Sequence, residues 1–136
     1  MKIKKIDEKI YLLRLERGEE VMETMMGFCT DKDIKGGYFQ AIGAMSEVEL
    51  ALYELESKKY YDKKIQGPLE IVSLFAVISA KKIHAHIVVS DKEMKAIGGH
   101  LKKGIVAATC EVVLHVFDCE IGRYADEEIG LELLDI

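Results

Sequence analysis

The sequence predicts an α/β domain in which one main helix packs on a sheet of many strands. Three observations lead there. Apolar residues recur at helical spacing only once, in the methionine-rich stretch after Gly18. From Tyr38 onward, short apolar segments broken by turn or charged residues follow one another. Residues 104–118 carry apolar side chains on both faces of an extended chain. A chain of 136 residues, 49% of them hydrophobic, suits a single domain over residues 1–136, and its only proline, Pro68, marks no linker.

Residues 11–16 alternate weakly and form a first strand. Arg17-Gly18-Glu19-Glu20 then opens the helix, with Gly18 as N-cap and Glu19, Glu20 and Glu23 at the positive end of its dipole. Val21, Met22, Met25, Met26 and Cys29 make a stripe that lies on the sheet, as core rather than as a cofactor pocket. Gly36-Gly37 closes the helical region through a left-handed cap.

Strands follow at 38–45, 46–55 and 60–66, then two strongly apolar ones at 70–80 and 83–90. Residues 91–96 read as a turn or a short helical piece. In the last long strand, 104–118, Ile105, Ala107, Thr109, Glu111, Val113, His115 and Phe117 alternate with Val106, Ala108, Cys110, Val112, Leu114 and Val116, and both faces read as largely buried. One helix cannot cover such a sheet on both sides, so a second layer of sheet or another subunit must supply the rest. The tail, 129–136, adds an edge strand or docks against a neighbouring chain.

No apolar run approaches the roughly 18 residues of a bilayer span. The basic start leads into no secretory apolar region, so a cytoplasmic location is expected. Cys29, Cys110 and Cys119 lack C-x-x-C spacing and read as buried reduced thiols. A formal net charge of −5 argues against a broad nucleic-acid surface. The lysine doublets at 58–59, 63–64, 81–82 and 102–103 read as solvated strand ends and edge protection.

Three of the four histidines gather in His84-Ala85-His86 and Gly98-Gly99-His100. In a strand, positions i and i+2 share a face about 6.6 Å apart, close enough for two imidazoles to lean onto one ion. Gly98-Gly99 allows a tight turn that carries His100 back to that strand. Three neutral nitrogens would leave a coordination position open, which suits a catalytic or ligand-binding Zn²⁺ rather than a structural one. Fe, Ni, Cu or Co would also accept imidazole. The competing reading is of strand histidines satisfied by hydrogen bonds, and on pattern alone both stand. His115, in a separate apolar segment, reads as a packing or hydrogen-bonded residue.

Over residues 11–114 the chain resembles the plant and prokaryote conserved (PPC) domain. The matching runs, in order, are Leu15-Glu16-Arg17-Gly18-Glu19-Glu20-Val21, Ala41-Ile42-Gly43-Ala44-Met45 and Gly67-Pro68-Leu69-Glu70-Ile71. They continue with His84-Ala85-His86, Gly98-Gly99-His100-Leu101-Lys102-Lys103-Gly104 and Glu111-Val112-Val113-Leu114. Where the family often has Gly-Asn after a Ser-Leu element, this chain has Ser73-Leu74-Phe75-Ala76-Val77. The resemblance implies a mostly antiparallel sheet, a homotrimer, and a metal, commonly zinc, on His84, His86 and His100.

Two functional expectations follow. In the first, a homotrimer carries one open metal site per subunit and binds or transforms a small anionic ligand. Glu70 and Glu111 are then candidates to orient a ligating imidazole or to take a proton from metal-bound water, against a plainer reading as exposed or ion-paired strand residues. In the second, the domain is a regulatory module that binds DNA or a protein, as plant relatives do. The AT-hook unit Arg-Gly-Arg-Pro that those relatives carry is absent here.

Overall fold

The computed structural model describes residues 1–80 and 82–136. In chain order the elements are β1 (Lys2–Lys5), β2 (Ile10–Glu16), α1 (Val21–Asp31), β3 (Gly36–Glu54), β4 (Lys59–Ser79), β5 (Lys82–Ser90), β6 (Ala96–Val116), β7 (Gly122–Asp126) and β8 (Leu131–Asp135). The main sheet runs β1-β2-β6-β3-β4-β5, with every pairing antiparallel. The early half of β6 also pairs with β5, while its later half lies between β2 and β3. Strands β3 to β6 thereby close into a ring.

Fewer and longer strands form than the sequence predicts. Segments 38–45 and 46–55 fuse into β3, whose register slips at Ala41/Gly43 and Met45/Glu47. Such bulges bend a strand without ending it. Segments 60–66 and 70–80 fuse in the same way into β4.

The helix starts and stops differently from the expectation. Glu20, not Gly18, is the N-cap: its carboxylate accepts from the backbone N–H of Met22 at 3.2 Å and of Glu23 at 2.6 Å. A further N–H, that of Gly104 on β6, donates to the same side chain at 2.8 Å. At the other end Lys32 caps the helix and Asp33, at φ 52°, takes the left-handed turn. Gly36-Gly37 is thus left to open β3. Val21, Met25, Phe28 and Cys29 are buried, so the predicted stripe does face the sheet.

Along the later half of β6 only one face is buried within the chain. Leu13, Leu15, Phe39, Met45, Ile87, Leu101, Cys110, Val112 and Leu114 lie in the core. The other face of β6 is open: Val113 is 43% and Phe117 42% exposed, and Leu12, Ile42 and Phe75 share that exposure. Of the two faces expected to be covered, the helix covers one within the chain, and among the described residues nothing covers Val113 and Phe117 on the other, which leaves that cover to another subunit. On the open side Tyr38 stacks on His115 at 5.0 Å between ring centres and on Phe75 at 5.6 Å.

Two further corrections concern the ends of the chain. Cys119 is exposed, whereas Cys29 and Cys110 are buried. The tail does not add an edge strand to the main sheet: β8 pairs with β7 in a separate two-stranded sheet.

Candidate metal centre

β5 alternates strictly, burying Ile83, Ala85, Ile87 and Val89 and turning His84, His86 and Val88 outward. Gly98-Gly99, expected as a turn, is instead extended within β6 and places His100 directly opposite His86. The glycines serve close approach. A Cβ on Gly98 would lie 2.8 Å from the carbonyl oxygen of Ile87, and one on Gly99 3.0 Å from that of Ala51. Without side chains there, β6 can press against both β5 and β3 beside His100.

Each of the three histidines offers a ring nitrogen, and those atoms all lie within 4.8 Å of one another. The Nε2 atoms of His84 and His86 are 3.1 Å apart. A tetrahedral zinc with Zn–N bonds of about 2.0–2.1 Å separates its nitrogens by about 3.3 Å, so the His84–His86 pair already matches such an ion, and the His100 nitrogen, within 4.8 Å of both, would close on it by ring rotation. Burial, then the charges of His100, His86, Arg123 and Lys82, push the His84 imidazole down to about 4. Burial is also the largest cause lowering His100, with His86, Lys82 and Lys102 adding to it. Both are therefore neutral near pH 7, the form that ligates a metal.

The histidines form one wall of a cavity of about 490 Å³. Leu52, Tyr53 and Tyr60, from the β3–β4 arm, form another, and Lys82, Arg123, Leu131 and Glu132 complete the rim. Arg123 is held in place: its Nε donates to Ser79 Oγ at 2.8 Å and its Nη1 to the carbonyl of Glu132 at 2.8 Å. Lys82 lies 3.4 Å from the Glu132 carboxylate.

Sequence reasoning missed these rim residues. The one signal was a weak one, the Gly122-Arg123-Tyr124 run in an otherwise acidic tail. Glu70 and Glu111 are not brought to the histidines: Glu70 stands opposite Ser90, Glu111 opposite Arg14 and Ile42, and neither lines the cavity. Phe75 faces His86 across the β4–β5 pairing but leans onto Tyr38. Among the doublets, Lys64 pairs with Glu47 at 2.7 Å, and Lys102 with Asp62 at 2.6 Å and Glu49 at 3.4 Å. Lys81 lies outside the described residues.

A ring-closed antiparallel sheet with one helix and a three-histidine seam defines a recognisable class of small domain, and the chain belongs to the Plants and Prokaryotes Conserved (PCC) domain family, whose model matches residues 4–118. The match begins at β1, earlier than the sequence motifs reach. Among solved structures, a candidate DNA-binding protein from Bacteroides thetaiotaomicron superposes with a TM-score of 0.94 at 28% identity, covering 98% of this chain and 96% of that one. A metal-containing protein from Archaeoglobus fulgidus superposes with a TM-score of 0.84 at 31% identity, covering 98% of each chain. In sequence, the bifunctional protein GlmU of Synechococcus sp. (strain JA-3-3Ab) is 28% identical over 108 residues. That is 78% of this chain but only 17% of that much longer protein. Among the described residues no helix is long and apolar enough to cross a membrane.

Proposed function

We propose that this protein is a metal-binding PPC-domain protein, a homotrimer in which His84, His86 and His100 hold a zinc ion with an open position for a small ligand. The convergence of three imidazole nitrogens within 4.8 Å carries the reading. A pair of histidines 3.1 Å apart could share a proton instead, but a third ring nitrogen within 4.8 Å of both has no role in that bond. The metal-containing relative from Archaeoglobus fulgidus adds support. A zinc there would polarise a bound oxygen or acidify a bound water.

Trimer formation rests on the uncovered face. Leu12, Ile42, Phe75, Val113 and Phe117 are a large apolar exposure for a chain of this size, and further copies of the chain would cover it. Glu70 and Glu111 stay as candidates only through such contacts, since within one chain they stand apart from the histidines.

The deciding measurement is metal content per subunit by mass spectrometry on natively purified protein, for wild type and His86→Ala. Near-stoichiometric metal lost in the variant supports the reading, and none in either ends it. The DNA-binding description of the Bacteroides thetaiotaomicron relative favours a second reading. Against it stand the net charge of −5 and the acidic partners of Lys64 and Lys102. Duplex binding that weakens steeply with salt would revive it.

A further inference from the structure

We propose that the ligand of this site is a small organic carboxylate, gripped by Arg123 while a second oxygen of the same molecule reaches the ion. The proposal deepens the metal reading and rests on it. It starts from a charge imbalance. An ion held by neutral imidazoles keeps its full double charge, and Lys82 and Arg123 stand on the same rim against a single carboxylate, that of Glu132. Cations gathered around a cation site repel one another unless an anion sits between them.

Arg123 is built to receive that anion. Its Nε and Nη1 are occupied by the neutral oxygens of Ser79 and Glu132, which fix the plane of the guanidinium without neutralising it. No carboxylate pairs with it, and its Nη2 makes no hydrogen bond, among the described residues. The Nη2 left unbonded on a fixed, uncompensated guanidinium suits one oxygen of a carboxylate through a charge-assisted hydrogen bond. Phosphate is less well served, because the recess is walled by strands and lacks the helix N-terminus that commonly cradles it. Leu52, Tyr60 and Leu131 offer apolar wall to a short hydrocarbon body, and about 490 Å³ suits a small molecule.

The two halves of the site come from different parts of the chain. All three histidines fall within the family-matched residues 4–118, whereas Arg123, Leu131 and Glu132 belong to the β7–β8 hairpin beyond them. The domain would hold the metal and the appended hairpin would choose the ligand.

The test is calorimetric titration of malonate into zinc-loaded and metal-free protein, for wild type, Arg123→Gln and Arg123→Lys, with inorganic phosphate as the competing anion. Zinc content is read on every sample and doubles as the check that each variant folds. Expected is malonate binding to the zinc-loaded wild type, at least tenfold weaker in Arg123→Gln and partly regained in Arg123→Lys, with zinc content unchanged. Equal binding by Arg123→Gln, no binding by the loaded wild type, or phosphate binding as tightly as malonate would overturn the proposal. If no zinc loads, the metal reading fails by itself. The metal-free titration then decides whether Arg123 recognises the carboxylate: loss in Arg123→Gln keeps that role, and no binding ends it.

Discussion

Gly43 and Gly67 permit a clean separation of backbone strain from crowding. Both sit in the region that side chains avoid, at φ 146° and 134°. A Cβ on Gly67 would meet nothing within 4 Å, whereas one on Gly43 would lie 2.2 Å from the carbonyl oxygen of Thr109 and 2.8 Å from the Cα of Cys110. Gly67→Ala should therefore cost only the strained conformation, about 1–3 kcal/mol. Gly43→Ala should add about 1–3 kcal/mol more, because β3 and β6 must part at the bulge where Gly43 faces Cys110. At about 3–5 °C per kcal/mol for a chain of this length, the second variant should melt roughly 3–15 °C below the first. The assay is thermal unfolding followed by circular dichroism, at one protein concentration and with chelator present, so that neither assembly nor metal shifts the midpoint. Equal midpoints, or a milder Gly43→Ala, would refute the claim that the β3–β6 approach is what requires glycine.

Other perturbations read other parts of the structure. Glu20→Ala removes the acceptor for the N–H groups of Met22, Glu23 and Gly104 and should cost about 1–2 kcal/mol in urea unfolding, with Glu20→Gln losing less. Ellman's reagent at pH 8 should label Cys119 at once, and Cys29 and Cys110 only after denaturation, since burial raises those two thiols to about 11 and about 12. The same shifts fix a sign. Unfolded thiols ionise near about pH 8.5 while the buried ones stay protonated, so the folded chain binds more protons and stability should fall as pH rises from there through about 11 and 12. Replacing both by Ala should flatten that fall in urea titrations across pH. Val113→Glu, at a side chain 43% exposed in the single chain, should change monomer stability by only about 0.5 kcal/mol, yet lower the mass read by light scattering, since the proposed trimer closes over that face.

What could be read from the sequence was what local periodicity encodes. The Val21 to Cys29 stripe and the alternation of residues 83–90 each specify a face, and the structure keeps both. Gly98-Gly99 reads as a turn in the sequence because a glycine pair has the same signature whether it bends a chain or lets a neighbour come close, and only the pairing with Ile87 and Val88 tells which. The long β3 and β4 looked like four strands because a bulge and a strand end are both marked by Gly, Ser or charge. Residues 104–118 looked buried on both sides because an apolar side chain does not say whether its own chain or another covers it. Arg123 was invisible for a different reason: its place beside the histidines is created by a hairpin that touches them only in three dimensions.

The histidine cluster and the closure of the ring are one constraint. His86 pairs with His100 at the β5–β6 seam, and that seam alone turns a row of strands into a closed structure. A slip of one residue in this pairing would send His100 to the core face and Leu101, now fully buried, to the outside. The apolar cost of exposing Leu101 thus holds the imidazoles in register without any help from a metal. Unlike side chains carried on loops, these three imidazoles are positioned by the same burial that folds the chain. The fold therefore keeps the three-histidine cluster in place whatever the β7–β8 hairpin beyond it carries.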